Sequence, residues 1–114
     1  MNDCLFCKIV KNQIPATKVH EDEHTVAFKD IHPQAPTHLL VIPKEHVAAV
    51  HEYQAGEFEA LTKIFETVAA VVKNNGLDEK GYRLVVNSGE IAGQAVHHLH
   101  VHILSGREMH WPPG

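Results

Sequence analysis

Apolar positions along the chain follow two different periods. From Ala55 to Asn75, Phe58, Leu61, Phe65, Val68 and Val72 recur at three- and four-residue steps. That spacing predicts one apolar stripe on a long helix, closed by Asn75-Gly76. Elsewhere the apolar runs are short or alternate with polar residues. KVHEDEHTVAFKD predicts two strands around a turn at Glu21-Asp22-Glu23, the second setting Val26 and Phe28 between Thr25, Ala27 and Lys29. THLLVIP is a strand rich in branched residues that Pro43 ends, YRLVVN is the next, and His98 to Leu104 is the last. CLFCKIVKN, where Leu5, Ile9 and Val10 can share a face, predicts a short helix broken at Ile14-Pro15. HPQAP, with Pro33 and Pro36, and SGEIAGQ read as loops, and Pro112 and Pro113 make SGREMHWPPG a tail. Short strands with hairpin-length links predict an antiparallel sheet with one long helix on one face, an α+β domain.

Composition narrows the classes. A chain of 114 residues, 44% hydrophobic and 21% charged, suits one domain with an ordinary core. No apolar run approaches the ~20 residues of a membrane span. MNDCLFCKIV, with Asp3 early and no long apolar region, does not read as a signal peptide, which leads us to expect a cytoplasmic protein. A net charge of -4 argues against a polyanion-binding surface. No P-loop and no dinucleotide fingerprint is present. The unusual count is 11 histidines, spread from His20 to His110 and densest inside the chain, so they are not a terminal tag. Cys4 and Cys7 form a C-x-x-C pair, which in a reducing compartment is more often a metal or redox feature than a structural disulfide.

In HHLHVHILS, residues 97–105, strand alternation sends His98, His100 and His102 one way and Leu99, Val101 and Ile103 into the core. Same-face neighbours on a strand lie about 6.6 Å apart and the outer pair about 13 Å. Two adjacent imidazoles can therefore share a zinc ion, but one metal holding all three is disfavoured. A merely solvated face needs no imidazole, since Thr, Lys or Glu would serve. Histidine supplies nucleophilicity, proton transfer near neutrality or metal ligation. Just upstream, Gly89 and Gly93 let backbone amides approach a ligand closely, in the concave shape that suits phosphate oxygens.

These motifs carry a resemblance. GQAVHHLHVHIL resembles the signature of the histidine triad (HIT) superfamily, three histidines separated by apolar residues. DIHPQAPTHLLVIPKEH, YRLVVN and GREMHWPPG resemble its Hint branch, and the similarity spans nearly the whole chain. The resemblance implies a HIT-like fold over residues 1–114: a five-stranded antiparallel sheet, one long helix, a short N-terminal helix, and a sheet extended across a homodimer. Residues 105–114 would form a tail near the dimer interface and the active site. It implies cleavage of the P–N bond of purine nucleoside 5′-phosphoramidates through a nucleotidyl-histidine. His100 would be the nucleophile, flanked by His98 and His102, with His38 a fourth active-site histidine. Asp30 would hold the ribose hydroxyls, and Leu5, Phe6, Ile9, Phe28 and Ile31 would line the base pocket. Asn87, Gly93, Gln94, Ala95 and Val96 would lie around the phosphate, with Trp111 reaching the cleft from the tail. Turnover would need no metal.

Many relatives with an early C-x-x-C bind zinc, and the matching ligands are Cys4, Cys7, His46 and His98. The alternative is a pair of unliganded thiols on a helix. A redox pair is disfavoured because no βαβ unit follows it. Two positions depart from the Hint pattern: Ala95, where serine is usual near the leaving group, and His97, where an aromatic residue is common and to which we assign no role. Two other functions remain compatible with these residues, a dinucleoside polyphosphate hydrolase and a non-catalytic nucleotide- or zinc-binding interaction protein. The GREMHWPPG ending argues against the former.

Overall fold

A computed structural model describes residues 3–114. Its elements are α1 (Leu5–Val10), β1 (Lys18–Glu21), β2 (Thr25–Lys29), β3 (Thr37–Pro43), α2 (Glu59–Asn74), α3 (Leu77–Lys80), β4 (Arg83–Val85) and β5 (Val101–Ser105). The five strands form one sheet in the order β1-β2-β3-β5-β4, every pair antiparallel.

Alternation along the central strands gives the sheet two buried faces. Ala27, Leu39, Val41, Leu99, Val101 and Ile103 pack under α2 against Ile64, Val68, Val71 and Val72. Their neighbours Val26, Phe28, Leu40 and Ile42 turn the other way and pack against Phe6 and Ile9 of α1. This explains why THLLVIP reads as a continuous apolar run: β3 is covered on both sides. The buried face of α1 is Phe6, Cys7 and Ile9, while Leu5 is exposed.

The helix begins at Glu59 rather than near Ala55, because Gly56 at φ 87° and a Gln54–Glu57 turn occupy the preceding residues. Its apolar stripe also divides. Val68 and Val72 are buried with Ile64, Thr67 and Val71, whereas Phe58 and Phe65 remain 47% and 43% exposed. Thr67 and Thr25 join hydroxyls at 2.6 Å, and Asp22 in the β1–β2 turn accepts from the His24 and Thr25 amides, pinning the hairpin to the helix.

The last strand starts at Val101, three residues later than the pattern predicts. Val41 pairs with Val101 at the end of the β3–β5 ladder. Beyond it Pro43 has no N–H to donate, and Leu99 instead donates to the Val47 carbonyl at 2.7 Å. His98, Leu99 and His100 are thus a lead-in to the strand. The alternation survives: Leu99, Val101 and Ile103 are buried under α2, and the three histidines sit on the α1 face, where Phe6 meets His98 and His100 edge-on. Among the described residues no helix is long and apolar enough to cross a membrane.

Candidate active site

The histidine face carries two adjoining centres. The first joins Cys4 at the N-terminus of α1, Cys7 within it, His46 after β3, and His98. Nδ1 of His98 lies 3.4 Å from Cys4 Sγ, 3.5 Å from Cys7 Sγ and 3.2 Å from His46 Nδ1, and Cys7 Sγ is 3.3 Å from His46 Nδ1. A tetrahedral zinc ion with Zn–S near ~2.3 Å and Zn–N near ~2.0–2.1 Å has ligand–ligand edges of about 3.3–3.8 Å. The four donors have that spacing. His98 donates Nε2–H to the Pro43 carbonyl at 2.8 Å, which leaves Nδ1 bare toward the cluster. Burial pushes its pKa down to about 4, so the ring is neutral as a metal requires. Two thiolates balance a divalent charge, and the site fits structural zinc.

The second centre is built by His100, His102 and His38. His100 donates Nδ1–H to the His98 carbonyl at 2.7 Å, so its Nε2 carries the free lone pair. Burial lowers its pKa, opposed by that bond and by Asp30. His38, on β3, receives the Gln34 amide hydrogen on Nδ1 at 3.0 Å. Its proton is therefore on Nε2, which donates to His102 Nδ1 at 2.9 Å and faces Asp30 Oδ2 at 3.4 Å. His102 then keeps its own hydrogen on Nε2. Burial, with His100 and His38 nearby, pushes the pKa of His102 down to about 4. Burial also lowers His38, against the attraction of Asp30. Asp30, His38 and His102 cluster closely enough to suggest a second metal site. The Gln34 amide and the Nε2 proton occupy both nitrogens of His38, so this trio is a hydrogen-bonded chain.

His100 and His102 line a cleft of about 370 Å³. Leu5, Phe6, Ile9, Phe28, Asp30, Ile31, Gly93, Ala95 and Val96 line it with them. Ile14, Pro15, Ala16 and Leu40 add to the apolar wall and carried no motif that could have singled them out. Asn87 lies beside Gly93, which takes a left-handed φ of 98°. The Gln94 side chain is buried and committed to the fold: its carbonyl accepts from Gly89 N–H and its amide donates to the Ala48 carbonyl, both at 2.8 Å. Trp111 is 83% exposed and does not line the cleft of the single chain, and His97 is exposed. Gln34, whose amide orients His38, was hidden in a loop that showed only two prolines.

Comparison with known proteins finds relatives over nearly the whole chain. The HIT domain family matches residues 11–109. An uncharacterised HIT-like protein of Synechococcus elongatus is 47% identical over 112 residues, covering 98% of this chain and 97% of the relative. A 14 kDa zinc-binding protein of Zea mays is 46% identical, covering 96% and 87%. A HIT family hydrolase from Legionella pneumophila has a crystal structure that superposes with a TM-score of 0.94 at 50% identity, covering 98% of this chain and all of that one. A histidine triad nucleotide-binding protein from Candida albicans superposes with a TM-score of 0.84 at 37% identity, covering 96% and 83%. Sequence, fold and the alternating histidines agree: the chain belongs to the HIT family.

Proposed function

We propose that the protein is a Hint-branch hydrolase that cleaves the P–N bond of purine nucleoside 5′-phosphoramidates, with His100 as nucleophile. The observation that carries this reading is the bond from His100 Nδ1–H to the His98 carbonyl, which leaves a bare Nε2 at a cleft with apolar walls and one carboxylate. A neutral imidazole attacks only through an unprotonated nitrogen. In the first step Nε2 bonds to the α-phosphorus, the P–N bond breaks, and the amine leaves with the bonding pair, protonated by water in the cleft. Charge growing on the phosphate oxygens meets the Nε2–H of His102 and the amides around Gly93 and Val96. Water then attacks the same phosphorus, the nucleotide leaves, and His100 is restored. The base fits between Phe6, Ile9, Phe28 and Ile31, and Asp30 accepts from the ribose hydroxyls.

Zinc at Cys4, Cys7, His46 and His98 is structural in this scheme, and no step passes through it. The zinc-binding name of the Zea mays relative supports the assignment. The protein works as a homodimer, with Trp111 and the tail reaching the partner's cleft. The test is turnover of adenosine 5′-monophosphoramidate. The wild type should exceed His100→Ala by at least ~10³-fold. Equal rates would remove the enzymatic reading and leave a binding protein.

A further inference from the structure

The bond between His38 and His102 has a direction, and the direction is decided elsewhere. Two neutral imidazoles sharing one hydrogen bond have two states of similar intrinsic energy. In one, His38 Nε2–H donates to His102 Nδ1, and His102 offers Nε2–H to the cleft. In the other, His102 Nδ1–H donates to His38, and His102 turns a bare nitrogen toward the cleft. The first suits an anionic phosphate and the second repels it. The shorter of two contacts does most to separate them: Gln34 N–H donates to His38 Nδ1 at 3.0 Å, which excludes a proton there. Asp30 Oδ2, 3.4 Å from His38 Nε2, favours the same state because it needs a hydrogen to face.

Gln34 is in turn held from the C-terminal tail. Arg107 donates Nε–H to the Gln34 carbonyl at 2.9 Å and Nη1–H to the Glu108 carbonyl at 3.1 Å. The tail reaches this position because Gly106, at φ 100°, passes against Pro36: a Cβ there would lie 2.9 Å from the proline Cβ. The Gln34 side chain closes the loop on itself by donating to the His32 carbonyl at 3.1 Å. Arg107 thus fixes the residue whose amide polarises two histidines, although it touches neither ring.

We infer that Arg107 and the Gln34 main chain are positioning elements that set the tautomer of His38 and, through it, make His102 a hydrogen-bond donor to the substrate phosphate. The role in turnover rests on the phosphoramidase reading; the tautomer does not. Long-range ¹H–¹⁵N correlation of histidine-labelled, ligand-free protein above neutral pH reads both rings directly. In the wild type His38 and His102 should each show one state, Nε2–H. Gln34→Pro deletes the donor hydrogen, and both rings should become mixtures. Its kcat should fall about tenfold with KM nearly unchanged. Arg107→Ala should shift both readouts the same way, and Arg107→Lys, which keeps a donor, should restore them. Nδ1–H on wild-type His38, or unmixed rings in Gln34→Pro, would overturn the inference. Unmixed rings in Arg107→Ala would remove Arg107 from it. A wild type with no turnover but the expected tautomers would refute the phosphoramidase reading alone.

Discussion

The carbonyl of His98 accepts the Nδ1 hydrogen of His100 at 2.7 Å, so a residue of the Cys/His cluster also orients the ring that faces the cleft. Metal content and melting temperature measure the first half of that link. Protein purified without chelator should hold about one zinc per chain, and Cys4→Ser well under half of that. The variant should melt roughly 8 °C lower or more, since ~1 kcal/mol corresponds to ~4–8 °C in a domain of this size. A wild type without stoichiometric zinc rules the site out.

Ala95 lines the cleft with no hydroxyl to give. In the proposed reaction the departing amine would then take its proton from water or from another group. Ala95→Ser should raise kcat/KM about tenfold for strongly basic amine leaving groups and leave weakly basic ones unchanged. Identical values across both kinds of leaving group would end any proton-delivery role for this position.

His102 titrates near pH 4 in the fold, whereas the unfolded chain takes up that proton near ~6.5. Between these values the unfolded state binds more protons, so stability increases with pH there. The contribution is complete above ~6.5 and fades as pH falls toward 4. His102→Gln cannot titrate and provides the reference. The melting difference, wild type minus variant, should drop as pH goes from about 7 to about 4.5. A difference that stays level over that range contradicts the assigned shift.

In the proposed homodimer a second copy would dock on the exposed aromatics Phe58, just before α2, and Phe65 within it. Phe58, Leu61, Phe65 and Ala69 form an apolar shelf, and β4 ends the sheet with β5 as its one neighbour. Tyr82, Leu84 and Val86 are exposed along the same edge. An uncovered apolar shelf and a sheet edge with a single neighbour are the two surfaces that the proposed sheet extension across a two-fold axis would use. Phe65→Glu should sediment as a monomer while keeping its circular dichroism spectrum. A monomeric wild type at micromolar concentration would sink the homodimer.

Much of this was legible because period and burial coincide. Leu99, Val101 and Ile103 alternate and are all buried, and the helix pattern located α2 to within a few residues. The pattern did not separate exposed Phe58 and Phe65 from buried Val68 and Val72, because an apolar stripe does not say how much of its length the sheet covers. It misplaced the start of β5 because pairing depends on a distant residue, Pro43, whose missing hydrogen ends the ladder. The expectation for the cleft residues came from family likeness alone, since Leu5 and Phe28 have no spacing that marks a pocket. Gln34 and Arg107 were illegible for a deeper reason. Their contacts use a main-chain amide and a main-chain carbonyl, which every residue type offers alike.

Gly106 has an evolutionary consequence. Its φ of 100° disfavours any side chain, and Pro36 fills the space that a side chain would need. A lineage that gains a larger residue at 106 must also change the turn and shrink position 36, and each change alone is harmful. Positions 36 and 106 should therefore vary together among relatives or not at all.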